Sequence, residues 1–239
     1  MDKLNLNQHI SRRYNAALDI LRTEFLAMGG LVEQQVIDAV EAISSMNIEL
    51  AHKILETEKS VDEHEMALDE LCTKIIARRQ PAASDLRLIM TVSKATRDLE
   101  RMGDEAEQIA KMAIAISESG TIPHGYTELR NLGRGVQQMI NDTLTAFARY
   151  DVDTALSVAH GDKRVDQEYD TAIRELITYM MEDPRNISRS MNVMWALRAL
   201  ERIGDHAGNI AEHVIYLVKG LDVRHQTAKE MTQSVRRKQ

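Results

Sequence analysis

Pairs of carboxylates four residues apart recur four times along this 239-residue chain. Side chains four apart on a helix share one face, with Cβ atoms about 5–6 Å from each other. Like charges placed so closely repel, and a cation shared between them removes that repulsion. Where two such helices are adjacent, four carboxylates can converge on hard or borderline cations. The candidate ligands form a first site, with Glu58, Asp62, Glu100 and Asp104, and a second site, with Asp162, Asp166, Glu201 and Asp205.

Helical geometry indicates which way these carboxylates face. At about 100° per residue counted from Glu100, Asp104 lies at roughly 40°, whereas the apolar stripe of the same helix, which includes Leu99 and Met102, centres at about 240°. The acidic pairs therefore point away from the core that the stripe forms. We predict that both sites lie at the protein surface.

A simpler interpretation of the acids is a set of ordinary surface ion pairs. Arg97 and Arg198 each precede a glutamate of the pairs by three residues, and such helix pairs contribute about 0.2–0.5 kcal/mol each. The recurrence favours cation binding, because all four pairs are kept while neighbouring positions, such as Asp98 and the matching Ala199, have diverged. Solvation of a helix face alone does not explain why the four-residue spacing of the acids is kept while neighbouring positions change.

Glycines inside the same motifs agree with this interpretation. Gly103 and Gly204 lie within otherwise helical segments and cost about 1 kcal/mol each relative to alanine. A group that approaches the helix closely at these positions would explain them.

An internal repeat organises the elements that must position the sites. Lys-x-Val-Asp occurs at 59–62 and again at 163–166, and Glu-Arg-(Met/Ile)-Gly-Asp occurs at 100–104 and again at 201–205. The spacing between the copies changes around Pro81 and Pro184, where a loop would absorb an insertion. The two halves of the chain are therefore related by duplication.

Each half contains three helical patterns of apolar residues. Asn47 and Asp151 predict N-caps that leave only short links between consecutive helices, Gly120 and Gly220 predict C-terminal stops, and Gly29-Gly30 predicts an irregularity. The helices are expected at about 6–46, 48–80, 84–116, 127–150, 152–183 and 188–219. We predict an all-α fold of two tandem, internally duplicated three-helix bundles with six long antiparallel helices: residues 1–120, residues 121–225, and a flexible basic tail at 226–239.

Composition and charge exclude several classes of protein. The net charge of −7, from 30 basic and 37 acidic residues, argues against nonspecific nucleic-acid binding, which needs a basic field. No stretch approaches the roughly 18 apolar residues of a membrane span, and the N-terminus lacks the apolar core of a signal peptide. We therefore expect a cytoplasmic protein, and we expect its single cysteine, Cys72, to be a packed core thiol.

Signatures of catalysis are weak in this sequence. A ferritin-like di-iron site needs Glu-x-x-His on two helices, but Glu49 with His52 is the single match and the matching position in the other half is Leu156. Nucleophile elbows and phosphate-binding loops do not occur. Trp195 is expected in the core and His206 in solvent. The sequence predicts a protein that is not an enzyme.

The doubled Glu-Arg-(Met/Ile)-Gly-Asp and Lys-x-Val-Asp motifs, together with the six-helix layout, closely resemble the PhoU family over about residues 5–220. Members of that family are cytosolic, often dimeric regulators of bacterial phosphate uptake, built from two three-helix bundles. The resemblance implies multinuclear metal clusters on the acidic motifs, with Fe, Zn, Mn and Mg all open as the cation. The eight acids of the first and second sites match the family's ligand positions. Position 162 is Asp where position 58 is Glu, so the two clusters need not be equal.

The resemblance also implies partners. A PhoU-like protein is expected to act as a homodimer and as a negative regulator in two-component signalling, coupling the ATPase subunit of the high-affinity phosphate ABC transporter to the phosphate-sensing histidine kinase. Membrane association would then occur only through those partners. The alternative function is a carboxylate-bridged metal store or a di-metal oxidase on the same acids, and oxygen consumption by the ferrous-loaded protein would distinguish the two.

Overall fold

The computed structural model of the protein describes residues 12–81, 83–119 and 125–237. Regular structure within these ranges is helical, with seven α-helices, one 3-10 turn and no strand. The predicted all-α class is therefore confirmed. The elements are α1 (Arg12–Ser45), α2 (Ile48–Arg79), α3 (Ala83–Ser119), α4 (Tyr126–Arg149), α5 (Val152–Glu182), the 3-10 turn (Pro184–Asn186), α6 (Ile187–Lys219) and α7 (Ala228–Arg237).

The predicted caps set three of the helix ends. Asn47 accepts a hydrogen bond from the Leu50 amide at 3.0 Å and begins α2. Asp151 accepts bonds from the two amides that follow Val152 and begins α5. Gly220 ends α6 in the left-handed region at φ 60°, which favours glycine. The predicted stop at Gly120 lies outside the described residues.

Two sets of three helices pack together, and α3 and α6 join the sets. Helices α1, α2 and α3 contact one another, as do α4, α5 and α6, while α1 also packs on α4. Arg87 near the start of α3 bonds the Leu217 carbonyl near the end of α6, and Glu105 further along α3 pairs with Arg202, so α3 and α6 are antiparallel. One apolar core runs through both sets, and the division into two separate bundles stays a prediction.

Glycines in α1 and α4 let these two helices approach closely. The irregularity expected at Gly29-Gly30 is wrong, since α1 is continuous through both residues. A Cβ at Gly29 would overlap the Leu144 side chain of α4, and one at Gly133 would lie 2.8 Å from Val40 of α1. The glycine pair therefore reflects helix packing and not a break in the helix.

We expect Gly29→Ala and Gly30→Ala to have opposite effects on stability. The buried Gly29 position has no room for a methyl group, and overpacking of this kind costs about 1–3 kcal/mol. Gly30 is exposed, with no heavy atom within 4 Å of an added Cβ, so alanine there is expected to stabilise the protein by up to about 1 kcal/mol. Urea unfolding of both variants measures the difference, and equal effects would contradict the packing role.

The C-terminal segment corrects the expectation of a frayed tail. Residues 228–237 form α7, whose Met231 and Val235 are buried on the side where this helix contacts α5. Thr227 and Glu230 cap its start reciprocally, because the Glu230 carboxylate accepts from the Thr227 amide and the Thr227 hydroxyl accepts from the Glu230 amide. These two apolar residues, four apart, form the apolar face of this short helix.

Two further expectations concern the single cysteine and the possibility of a membrane-spanning helix. Cys72 is buried in the core, as predicted, and burial raises the pKa of its thiol to about 12. Across the described residues, none of the helices combines the length and the apolar character needed to cross a membrane.

Candidate metal centre

The structure brings three carboxylates of the second site together. Asp162 and Asp166 lie one turn apart on α5, and Asp205 faces them from α6, with one oxygen from each of the three within 4.8 Å of the others. Gly204 permits this approach, because a Cβ there would lie 3.2 Å from a methyl group of the buried Val165. The glycine inside α6 is thus explained by the helix contact that places Asp205 beside α5.

The carboxylates of the second site repel one another. Burial, followed by the charges of Asp205 and Asp166, raises the pKa of Asp162 to about 6. Its Oδ1 atom is buried without a hydrogen-bond partner. Three mutually repelling carboxylates, one with an unpaired buried oxygen, form a donor set that hard divalent cations fit.

Glu201, the fourth member of the second site, does not join the group of three. It is 9% exposed, and Arg198 binds its Oε1 atom at 2.6 Å. Its Oε2 atom is buried without a partner. Burial and the nearby charge of Asp205 raise its pKa, against the effect of Arg198.

The first site is centred on a buried glutamate. Glu58 is 7% exposed, and the Gln35 side-chain amide donates to its Oε2 atom while Oε1 has no partner. A Cβ at Gly103 would lie 2.8 and 2.9 Å from the two oxygens of Glu58. The sequence predicted that a group approaches α3 closely at Gly103, and that group is the Glu58 carboxylate of the first site itself.

The expectation that both sites lie at the surface is correct only in part. Asp62 and Asp205 are exposed, but Glu58 and Glu201 are buried. Each site thus has carboxylates open to solvent beside a glutamate that the neighbouring helices cover.

The two aspartates of the first site, Asp62 and Asp104, act on both of its glutamates. Burial raises the pKa of Glu58 to about 7, the bond from Gln35 opposes this, and the charges of Asp104 and Asp62 raise the pKa further. Burial also raises the pKa of Glu100, with Asp104 adding to the effect and Arg101 opposing it. The repulsion predicted for these pairs is therefore present in the fold.

Some arginines do form the ion pairs of the simpler interpretation. Arg101 lies 3.4 Å from both Glu100 and Asp104, and its side chain is nearly half exposed. Exposed pairs of this length contribute little. Within the part of the chain that the structure describes, no basic side chain comes within 4 Å of the three grouped aspartates of the second site. Ion pairing therefore accounts for part of the first site and not for that group.

The contact between α3 and α6 places a set of polar residues that sequence reasoning missed. His206 Nδ1 donates to Asp98 Oδ1 at 2.9 Å, Asn209 donates to the same oxygen at 3.2 Å, and His213 lies 3.5 Å from Oδ2. Burial acts to raise the pKa of Asp98, but these bonds outweigh it and lower the pKa. His206 is therefore a partner of Asp98, and its predicted exposure to solvent is wrong.

Trp195 does not lie in the core as predicted. The indole is 57% exposed and lines a groove of about 430 Å³ between α3 and α6, together with Met112, Arg198 and Arg202. Arg198 connects this groove to the second site through its ion pair with Glu201. In the sequence, Trp195 lies at helical spacing from apolar residues, which suggested a core position. In the structure its indole stays largely exposed where it lines the groove.

Comparison with known proteins identifies relatives of the whole chain. The family model described as "PhoU domain" matches residues 25–113 and 129–214. The phosphate-specific transport system accessory protein PhoU homolog of Pseudomonas aeruginosa is 57% identical over 225 residues, covering 94% of this chain and 93% of that protein. The phosphate-specific transport system accessory protein PhoU of Escherichia coli K12 is 47% identical with the same coverage.

Solved structures share the fold. The crystal structure of PhoU from Pseudomonas aeruginosa superposes with a TM-score of 0.85 at 58% identity, covering 87% of this chain and all of that one. The phosphate transport system regulatory protein PhoU from Streptococcus pneumoniae superposes with a TM-score of 0.80 at 29% identity, covering 87% of this chain and 98% of that one.

Proposed function

The chain belongs to the PhoU family, and from that premise we propose that it is a non-enzymatic, cytoplasmic negative regulator of phosphate uptake and of the phosphate-starvation response. Its partners would be the ATPase subunit of the phosphate ABC transporter and the phosphate-sensing histidine kinase, and the active form would be a homodimer of two-bundle subunits. The relatives are named as accessory or regulatory proteins of phosphate transport, which supports a regulatory role.

The observation that carries the proposal is the group of three aspartates in the second site, with which the basic side chains of the described residues make no ion pair within 4 Å, although the more distant charges of Arg198 and Arg202 act on Asp205. Eight acids would hold divalent cations at the two sites. Carboxylate oxygens without cysteine or histidine favour Mg²⁺, Mn²⁺ or Fe²⁺ over Zn²⁺. The cations would neutralise the repulsion and fasten α2 to α3 and α5 to α6.

Docking of an acidic partner surface follows from the same chemistry. A cation on exposed aspartates has coordination positions that a carboxylate or phosphoryl group of a partner can fill, so this acidic protein could bind another acidic surface. The groove beside the second site supports this, since it exposes Trp195 with Arg198 and Arg202. Each guanidinium keeps donors beyond its one ion pair, and Trp and Arg are frequent anchors of protein interfaces.

A strain that carries Glu100→Gln and Glu201→Gln tests the proposal. The change keeps side-chain size but removes one cation ligand from each site, and we expect phosphate-starvation genes to switch on in high phosphate to the level of a deletion strain. Transcript levels are measured together with the abundance of the protein. A second strain with Trp195→Ala is expected to lose repression while its purified protein keeps its cations.

The matched control carries Glu63→Gln and Glu182→Gln, two exposed glutamates outside both sites, and is expected to repress normally. Full repression by a folded, abundant Glu100→Gln and Glu201→Gln protein would reject cation-dependent regulation. Normal repression by Trp195→Ala would remove the groove from the docking surface.

A further inference from the structure

The turn between α2 and α3 forms a basic end in an otherwise acidic protein. Residues 71–84 contain no carboxylate, and two exposed arginines, Arg78 and Arg79, lie in the last turn of α2. The next acid along the chain, Asp85, is buried and accepts a hydrogen bond from the Tyr14 hydroxyl at 3.0 Å. The whole chain carries a net charge of −7, so this end is opposite in sign to the protein as a whole.

Three helix ends meet at this surface. The start of α1 contacts the start of α3 through the Tyr14 hydrogen bond, and the exposed Arg13 precedes Tyr14. Burial and the bond to Asp85 raise the pKa of Tyr14, and the charge of Arg79 at the end of α2 opposes this increase. Among the described residues, no carboxylate comes within 4 Å of the four arginines at this end, which are Arg13, Arg78, Arg79 and Arg87.

Three apolar side chains are exposed beside these arginines. Ile76 of α2 and Leu86 and Met90 of α3 are each 39% exposed. The Ser93 hydroxyl of α3 donates to Asp69 of α2 at 3.1 Å. Ile76 lies seven residues after Asp69, and Leu86 lies seven residues before Ser93, so both share the helix face of that bond and are level with each other. Together with Met90, one turn from Leu86, they form one exposed apolar patch.

The matching turn between α5 and α6 keeps exposed apolar side chains but not the basic charge. By the spacing of the Glu-Arg-(Met/Ile)-Gly-Asp copies, Ile187 occupies the repeat position of Leu86, and it is 45% exposed. By the spacing of the Lys-x-Val-Asp copies, Glu182 and Asp183 replace the arginine pair that ends α2. Residues 174–189 contain three basic and three acidic residues. The basic charge is therefore specific to the turn between α2 and α3.

An anionic lipid surface fits these features better than a protein partner does. Arginines bury their aliphatic stems beside apolar groups while the guanidinium stays at the lipid headgroups. A turn between two helices is convex and can meet a flat surface, whereas a peptide segment binds best in a groove. The neutral turn between α5 and α6 of a second copy would offer no complementary charge. None of the described helices is able to span a membrane, so the contact would be made at the membrane surface.

We propose that this basic tip, defined by its four arginines and by Ile76, Leu86 and Met90, binds an anionic membrane surface directly. The guanidinium groups contact the headgroups, and the three apolar side chains enter the headgroup layer. The inference goes beyond the proposed function, in which the partners alone bring the protein to the membrane. Asp62 of the first site lies roughly 20 Å along α2 from Ile76, so the first site stays clear of the lipid when α2 points away from the membrane.

Flotation of the full chain with lipid vesicles tests the proposal. We expect binding to vesicles of phosphatidylglycerol with phosphatidylcholine, little binding to phosphatidylcholine alone, and weaker binding at high salt. Arg78→Glu with Arg79→Glu is expected to reduce binding by at least about tenfold. Leu86→Ser with Met90→Ser is expected to reduce it by about fivefold or more, because less apolar surface enters the headgroup layer.

The chain offers a matched control for each variant. Arg236→Glu with Arg237→Glu reverses another adjacent pair of exposed arginines at a helix end, and Met181→Ser with Ile187→Ser removes the exposed apolar side chains of the other turn. Both control proteins are expected to bind vesicles as the parent does. A chelator is present throughout, so that divalent cations do not bridge the acidic sites to the lipid, and circular dichroism verifies the fold of each variant.

Three outcomes would overturn the proposal. The first is a parent protein that does not bind anionic vesicles. The second is an Arg78→Glu and Arg79→Glu protein that binds as well as the parent, or an Arg236→Glu and Arg237→Glu protein that loses as much binding, since either result would make the attraction unspecific. The third is a basic tip whose arginines are needed for self-association in sedimentation analysis, or for binding to polyglutamate, but not for binding to vesicles, which would assign the tip to a second copy or to an acidic protein.

Discussion

A protein that carries Asp162→Asn and Asp205→Asn is expected to lose divalent cation binding at the second site by at least about 100-fold, because two of three grouped carboxylates become neutral. The apoprotein should become more stable at the same time. Burial and two neighbouring charges raise the pKa of Asp162, so its ionised form is held against repulsion that asparagine does not experience.

Calorimetric titration with Mn²⁺ and thermal unfolding with and without the cation measure both effects. In the parent, saturating Mn²⁺ is expected to raise the melting temperature, since a ligand that binds only the folded state stabilises it. In the variant, most of this shift should vanish while the first site still responds. Asp170→Asn with Glu175→Gln, two exposed changes on α5, controls for lost charge. An unchanged affinity in the Asp162 and Asp205 variant would show that this group is only surface charge.

Local rules were sufficient for much of the fold. A capping side chain acts on amides within three residues of its own position, so Asn47 and Asp151 could be recognised from the sequence as helix starts. The left-handed end at Gly220 is equally local. The duplication then placed the acids of each half in matching positions, and for the second site this was enough to predict which aspartates meet.

Burial required knowledge of neighbouring helices. A helical wheel gives the direction of Glu58 on its own helix, but not that Gln35 of α1 and Gly103 of α3 cover it. The same limit explains Trp195, whose spacing fits an apolar face although no helix covers it. Gly103 was a usable signal, since a glycine inside a helix indicates a close neighbour, but the sequence did not identify that neighbour as Glu58.

Diverged positions of the repeat were also informative in retrospect. Asp98 and His206 occupy repeat positions whose counterparts are Ala199 and Glu105, and the two diverged residues bond each other across the contact of α3 and α6. On the other side of that contact Glu105 instead pairs with Arg202. Compensating changes at two diverged positions could have predicted that these helices meet, because an antiparallel pair related by duplication brings such positions together.

Cation affinity is expected to fall as the pH is lowered, and to fall more steeply at the first site than at the second. Cations bind the ionised carboxylates, whereas the apoprotein keeps protons on Glu58 up to a pKa of about 7 and on Asp162 up to a pKa of about 6. Between pH 7.5 and 5.5 this single-proton competition weakens the first site by about an order of magnitude and the second by a few-fold. Binding therefore releases protons near neutral pH.

The stability of the apoprotein is expected to change with pH in the opposite direction. A carboxyl group whose folded pKa lies above its unfolded value binds more protons in the folded state, so stability falls as pH rises from about 4.5 through 7 for Glu58. Added Mn²⁺ should reverse this trend, because it stabilises the ionised form. Thermal unfolding across this pH range, with and without Mn²⁺, checks both directions.

The variant Gln35→Leu tests whether the pKa of Glu58 determines the pH dependence of the first site. The Gln35 amide bonds the Glu58 carboxylate and lowers its pKa, so its loss should move the pH dependence of the first site upward and leave that of the second site unchanged. Proton release is measured by titration calorimetry in two buffers with different heats of ionisation. The second site is isolated by Asp62→Asn with Asp104→Asn, and the first site by Asp162→Asn with Asp205→Asn. Affinities that are equal at pH 5.5 and 7.5 would show that the carboxylates of Glu58 and Asp162 do not hold the cations.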